Sequence, residues 1–168
     1  MNLFVVRHGI AIDRGAPGCP ADPERYLTEE GIEKTKAVAK GVAALDIAPD
    51  AFLSSPYVRA MQTAELFAAA LEFPKSKIRK TEALLPGSDP LILFRELARD
   101  KQASTVFLFG HAPQLDEVIA YALGSKHTFT ALKKAGVSHL ELKRIAPPQG
   151  TLLWLCPPKL LKRSGKNG

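Results

Sequence analysis

Arg7 and His8 stand side by side at the end of an apolar run in "LFVVRHG", Arg59 lies in "SSPYVRA", and His111 closes "TVFLFGH". Two guanidinium groups match phosphate, because their forked donors pair with phosphoryl oxygens and neutralise charge. A neutral imidazole among them has chemistry of its own: its lone pair can attack phosphorus and carry the phosphoryl group covalently. The guanidinium charges disfavour imidazolium, so Arg7 and Arg59 should lower the pKa of His8 and keep that lone pair available near neutral pH. Gly9 beside His8 suits a sharp turn of the backbone next to an anion. A metal held by His8 and His111 is the rival reading. Flanking arginines repel cations, however, and no carboxylate or thiol keeps a compatible spacing.

The four residues can act together only if separate elements deliver them to one place. "LFVV" (3–6), "AFLSS" (51–55) and "STVFLFGH" (104–111) read as short buried strands. "LTEEGIEKTKAVAKGVAAL" (27–45) predicts a helix capped by Thr28, with Gly31 where a capping box would need an acid or amide. Ser55 and Pro56 predict the opening of a second helix, a serine cap followed by proline in the first turn, whose backbone N–H groups could face an anion. A short strand falls within 77–84, and amphipathic helices are expected over 89–100 and 113–123. Segments 136–145 and 151–156, joined by "APPQG", read as an antiparallel edge hairpin. This order predicts an α/β fold, a three-layer α/β/α sandwich with a mixed, mostly parallel central sheet. Ligands of such sheets bind outside the carboxyl ends of the strands, and Arg7, His8, Arg59 and His111 all follow strand ends.

The 168 residues predict a single domain over 1–158 and a solvated basic tail over 159–168. A hydrophobic fraction of 46% supplies a core without help from metals or disulfides. Cys19 and Cys156 form no metal pattern and read as free thiols. The net charge of +6 favours anionic partners. No zinc-finger, basic-helix or single-strand-binding pattern accompanies that charge, so no nucleic-acid partner is expected. No apolar run reaches a membrane span or a secretory signal, which predicts a cytoplasmic chain with no membrane partner. Arg14 and Arg25, in the irregular stretch 10–26, read as solvated loop positions or as contacts for an acidic partner. His127 and His139 read as structural.

"VVRHG", "LSSPYVRAMQTAE" and "FGHAP", in that order, resemble the signature blocks of the histidine phosphatase, or phosphoglycerate mutase-like, superfamily. "LTEEG", "ALLPGSDP", "GHAPQLDEVIAYALG" and the short length resemble its SixA-type phosphohistidine phosphatases. The resemblance implies a phosphatase with His8 as nucleophile and Arg7, Arg59 and His111 as the phosphate pocket, with neither metal nor other cofactor. It implies, as partner, a phosphorylated histidine-containing phosphotransfer protein. Glu82 is the nearest sequence match to the superfamily's acid glutamate. The asparagine that several members carry just past the first block is replaced here by "IAID". A small-molecule phosphomonoesterase and a non-catalytic phosphate-binding module are the alternatives on the same scaffold.

Overall fold

Side chains along the first strand, β1 (Asn2–Arg7), alternate between two separate cores. Leu3 and Val5 enter an aliphatic core, and Phe4 and Val6 enter an aromatic one. β4 (Thr105–Gly110) repeats the pattern, with Val106 and Leu108 on one face and Phe107 and Phe109 on the other. A strand's period of two makes this split possible, and burial on both faces explains why these strands read as unbroken apolar runs. The computed structural model describes residues 1–100 and 102–164.

The remaining elements, in chain order, are α1 (Glu29–Ala43), β2 (Ala51–Ser54), α2 (Val58–Ala70), β3 (Ile78–Lys80), α3 (Pro90–Leu97), α4 (Gln114–Ala122), β5 (Val137–Ile145), β6 (Pro148–Cys156) and α5 (Pro158–Ser164). The six-stranded sheet runs β3-β2-β4-β1-β5-β6. Its first four strands are mutually parallel, and β5 and β6 close it as an antiparallel edge hairpin. α1, α2 and α5 cover the aromatic face, where Phe4 stacks on Phe107 at 4.5 Å and Phe52 on Phe73 at 4.4 Å. α3 and α4 cover the aliphatic face, so the sandwich has its three layers. Thr28 caps α1 as expected, its side chain accepting from the Gly31 N–H at 3.0 Å.

The carboxyl-terminal segment departs from the sequence reading. The tail expected over 159–168 is not solvated up to 164: Pro158–Ser164 form α5, which lies on α1 and places Leu161 in the aromatic core. The close approach depends on Gly41, where a Cβ would stand 1.9 Å from the Leu161 carbonyl oxygen. One buried leucine amid basic residues carries too little periodicity to announce a helix. The last four residues of that stretch, 165–168, lie outside the described residues. Leu161→Ala should cost about 2 kcal/mol or more, the low end for a buried leucine. A chemical denaturation midpoint unchanged from wild type would show that α5 adds nothing to the fold.

No helix among the described residues is long and apolar enough to cross a membrane. His139 is a packing residue: it stacks on Phe4 at 4.1 Å, meets the Trp154 ring edge-on and pairs through Nε2 with Asn2 Oδ1 at 3.0 Å. His127 sits exposed on the loop after α4, its backbone N–H on Ser125 Oγ.

Candidate active site

β2, β4 and β1 are adjacent and parallel, so their carboxyl ends form one edge of the sheet. His8 follows β1, Arg59 lies in the first turn of α2 after β2, and His111 follows β4. The structure brings the two histidines together, their ring centroids 5.2 Å apart. Arg7 and Arg59 are close enough for their charges to act on both imidazoles.

Each imidazole is held by a partner that fixes its tautomer. His8 Nδ1 lies 2.7 Å from the Gly9 carbonyl oxygen. A carbonyl only accepts, so Nδ1 carries the proton and Nε2 keeps its lone pair. His111 Nε2 lies 2.8 Å from Ser55 Oγ, which also accepts from the Tyr57 N–H at 3.4 Å. Ser55 is fully buried, and His111 Nε2 is the one acceptor its hydroxyl proton meets among the described residues, so the hydroxyl donates to Nε2 and His111 presents its proton on Nδ1.

Burial holds both rings neutral. It is the leading cause that pushes the His8 pKa from 6.5 down to about 4; the Gly9 hydrogen bond opposes it, and the charges of Arg59, Arg7 and Lys134 add to it. His111 is pushed down to about 3, again first by burial and then by His8 and Arg59. The direction expected for His8 holds, but desolvation outranks the arginines as its cause.

The arginines are fastened by their tips. Arg7 Nη1 donates to the Leu132 carbonyl at 2.8 Å. Arg59, 3% exposed, donates from Nη1 to the Asp22 carbonyl at 2.5 Å and from Nη2 to Asp22 Oδ2 at 3.2 Å, with its guanidinium over the Tyr57 ring at 5.0 Å. Arg7 Nε, Arg59 Nε and His111 Nδ1 are buried donors with no protein partner. Buried donors are normally satisfied. Three such N–H groups in one small cluster, with two positive charges among them, are complementary to an anion with several acceptor oxygens.

Gly9 serves a different purpose from the sharp turn expected of it. Its φ is not in the left-handed region. Its N–H donates to Thr63 Oγ1 at 3.1 Å and its carbonyl takes His8 Nδ1, so neither backbone group is available to a ligand. Glycine is required because a Cβ would stand 2.3 Å from Thr35 Oγ1 on α1. Glu82 opens the short 3-10 turn Glu82–Leu84 after β3. That turn is tied to α4 by the Gln114 side chain, which donates to the Ala83 carbonyl at 3.1 Å. Glu82 itself is exposed, and its carboxylate makes no hydrogen bond to the four clustered residues. Among the described residues, no three His, Cys, Asp or Glu side chains cluster as a metal ion would need.

Asp22, Ser55 and Thr63 are the positions that sequence pattern misses. Asp22 gathers Arg14, Arg25 and Arg59 on one carboxylate. Burial alone would raise its pKa, but the hydrogen bonds from Arg25, Arg59 and Arg14 and the Arg59 charge outweigh that and hold it at about 2. Arg25 is not solvated: it also donates to the Ile12 carbonyl at 2.6 and 2.9 Å and pins the loop. Arg14 stays 73% exposed. Only the i,i+3 spacing of Asp22 and Arg25 hints at a pair, and nothing in the sequence points from Asp22 to Arg59, 37 residues on. Ser55, expected as a helix cap, stands before the N-cap Tyr57 of α2, which starts at Val58, and its hydroxyl meets the Tyr57 N–H and His111.

Comparison with known proteins agrees with this fold. The family model of the histidine phosphatase superfamily (branch 1) matches residues 3–85. An uncharacterized protein of a Picosynechococcus strain is 35% identical over 142 residues, which are 84% of this chain and 85% of that protein. The mitochondrial serine/threonine-protein phosphatase Pgam5 of Drosophila persimilis is 30% identical over 87 residues, 52% of this chain but only 29% of Pgam5. The tungstate complex of the protein histidine phosphatase SixA superposes with a TM-score of 0.85 at 24% identity, over 96% of this chain and 99% of that one. The chain belongs to the histidine phosphatase superfamily. Its fold is that of the SixA-type members.

Proposed function

We propose that the protein is a phosphatase that forms a phosphohistidine on His8 and acts on phosphohistidine of a phosphotransfer protein. One observation carries this reading: a neutral imidazole with a free Nε2 lone pair stands beside His111 and within reach of the Arg7 and Arg59 charges, and these three residues each carry a buried N–H with no protein partner. In the first step His8 Nε2 attacks phosphorus, the new P–N bond forms, and the substrate's bond from phosphorus to its leaving group breaks. For a phosphohistidine substrate the leaving group is an imidazole, whose P–N bond is already labile, so little acid assistance is needed. This suits a site in which the Glu82 carboxylate makes no hydrogen bond to the clustered residues. In the second step water attacks phosphorus, the His8–phosphorus bond breaks, and inorganic phosphate leaves. Arg7 Nε, Arg59 Nε and His111 Nδ1 hold the non-bridging oxygens through both steps, where charge stabilisation by fixed donors does most of the work.

A pure anion binder gains nothing from a neutral nucleophile between two guanidinium groups, which favours turnover over a binding module. The discriminating test compares kcat/KM on a phosphorylated histidine-containing phosphotransfer protein with that on sugar phosphates and an aryl phosphate. Preference for the protein by orders of magnitude supports the reading. Equal or better turnover of the small esters makes the chain a general phosphomonoesterase. Activity should survive exhaustive chelation, because two arginines already supply the charge a metal would bring. Activity lost with chelator and restored by a divalent ion would overturn the metal-free mechanism.

A further inference from the structure

Arg7 lies in the candidate site and also lines a groove of about 740 Å³ that no step of the proposed reaction uses. The groove is lined by six cations: Arg7, Lys34 of α1, Lys133 and Lys134 of the loop before β5, and Lys159 and Lys162 of α5. No acid lines it among the described residues. Glu30, one turn away on α1, pairs with Lys34 and feels Lys162, and so offsets part of that charge from the rim. Ile10, Pro157 and Pro158 give the groove an apolar floor between the lysine stems.

The groove is joined to the site through the backbone. Arg7 Nη1 donates to the Leu132 carbonyl, and the Ala135 N–H reaches the carbonyls of Arg7 and His8 at 3.0 and 3.1 Å. Lys133 and Lys134 lie between these anchors in the chain, and the Lys134 charge is felt at the His8 imidazole. The docked α5 brings Lys159 and Lys162 to the far wall.

We propose that this groove is the docking track for an acidic segment of the substrate protein, with carboxylates flanking the phosphorylated residue. The proposal rests on the phosphoprotein reading of the site and assigns the surface that would select the partner. Small-ligand sites are marked by a few buried polar groups that fix orientation. Here the charge is instead on flexible, largely exposed lysines spread over three elements. That arrangement suits a broad acidic face, whose attraction is long-ranged and tolerant of geometry.

Binding and turnover separate the proposal from the reading beneath it. Binding of a fluorescent, unphosphorylated Asp/Glu-rich peptide is measured by anisotropy against a peptide with serine at the acidic positions. The wild type should bind the acidic peptide at least tenfold more tightly at about 50 mM salt, and lose most of that preference by about 300 mM. K159E/K162E, and separately K133E on a different element, should each weaken it severalfold or more, with circular dichroism unchanged. Equal affinity for the two peptides, or no effect of either variant, overturns the groove as a docking surface. Tighter binding of an RNA oligomer or of tripolyphosphate at the same lysines overturns the choice of an acidic protein. Turnover of an acidic-flanked and a neutral-flanked phosphohistidine peptide, run in parallel, tests the phosphatase reading alone. Selective binding of the acidic peptide without turnover of either phosphopeptide leaves the groove standing and refutes the reading.

Discussion

His8→Ala is expected to abolish turnover and, with it, a covalent phosphoprotein that rapid quenching traps in the wild type. The label should be stable to base and labile to acid, as a phosphoramidate is. His8 is largely buried, yet its ring meets mainly site residues and its polar partner is the Gly9 carbonyl, so the variant should keep its fold. The pH dependence comes from the same environment. With its pKa near 4, free His8 is neutral over the ordinary range, and kcat/KM should fall only as pH drops toward that value. Stability depends on pH with a defined sign. The folded pKa values of His8 and His111, about 4 and about 3, lie below the ordinary 6.5, so the unfolded chain binds protons first. Stability is full above about pH 6.5 and declines as pH falls toward the folded values. His8→Ala should flatten part of that decline. Wild-type turnover with no trapped label, together with substantial activity in His8→Ala, would mean that water attacks phosphorus directly.

The four residues gathered in the candidate site are legible because strand ends are legible. "LFVV", "AFLSS" and "TVFLFG" are buried on both faces, and the residues after each must leave the sheet at its carboxyl edge. The observed β2-β4-β1 adjacency then makes neighbours of Arg59, His111 and His8. What periodicity cannot express is how each side chain is held. Ser55 reads as a cap because it precedes a proline and a helix, and only the fold places His111 Nε2 within 2.8 Å of its hydroxyl. Gly9 reads as a turn residue, whereas its requirement comes from Thr35 on a helix that crosses it. α5 escapes for a related reason: its single inward leucine has meaning only beside Gly41, 120 residues earlier in the chain. Local pattern reports which face is buried, while these contacts depend on which distant element does the burying.

Arg59→Ala should lower kcat/KM by about thirtyfold or more, equivalent to about 2 kcal/mol, a floor just under the about 2.7 to 4 kcal/mol that one preorganised donor supplies at a developing charge. The loss is large because of how the side chain is held. Each terminal nitrogen gives one N–H to Asp22 and the face packs on Tyr57, so the guanidinium is held in place, and its Nε–H has no protein partner. A donor fixed before the reaction costs no reorganisation when charge shifts onto the phosphoryl oxygens. Arg59→Lys keeps a charge but loses both the fork and the Nε–H, and it should recover only a small part of the loss. Arg14 supplies the contrast, because it meets the same Asp22 carboxylate from the solvent side and is 73% exposed. Exposed ion pairs contribute from about nothing to about 1 kcal/mol, so Arg14→Ala should change kcat/KM by less than about fivefold. Thermal denaturation of all three variants separates a lost donor from a loosened loop, since removing either arginine also takes a partner from Asp22. Equal losses of kcat/KM in Arg14→Ala and Arg59→Ala would mean that the net positive field, and not a positioned donor, binds the phosphoryl group.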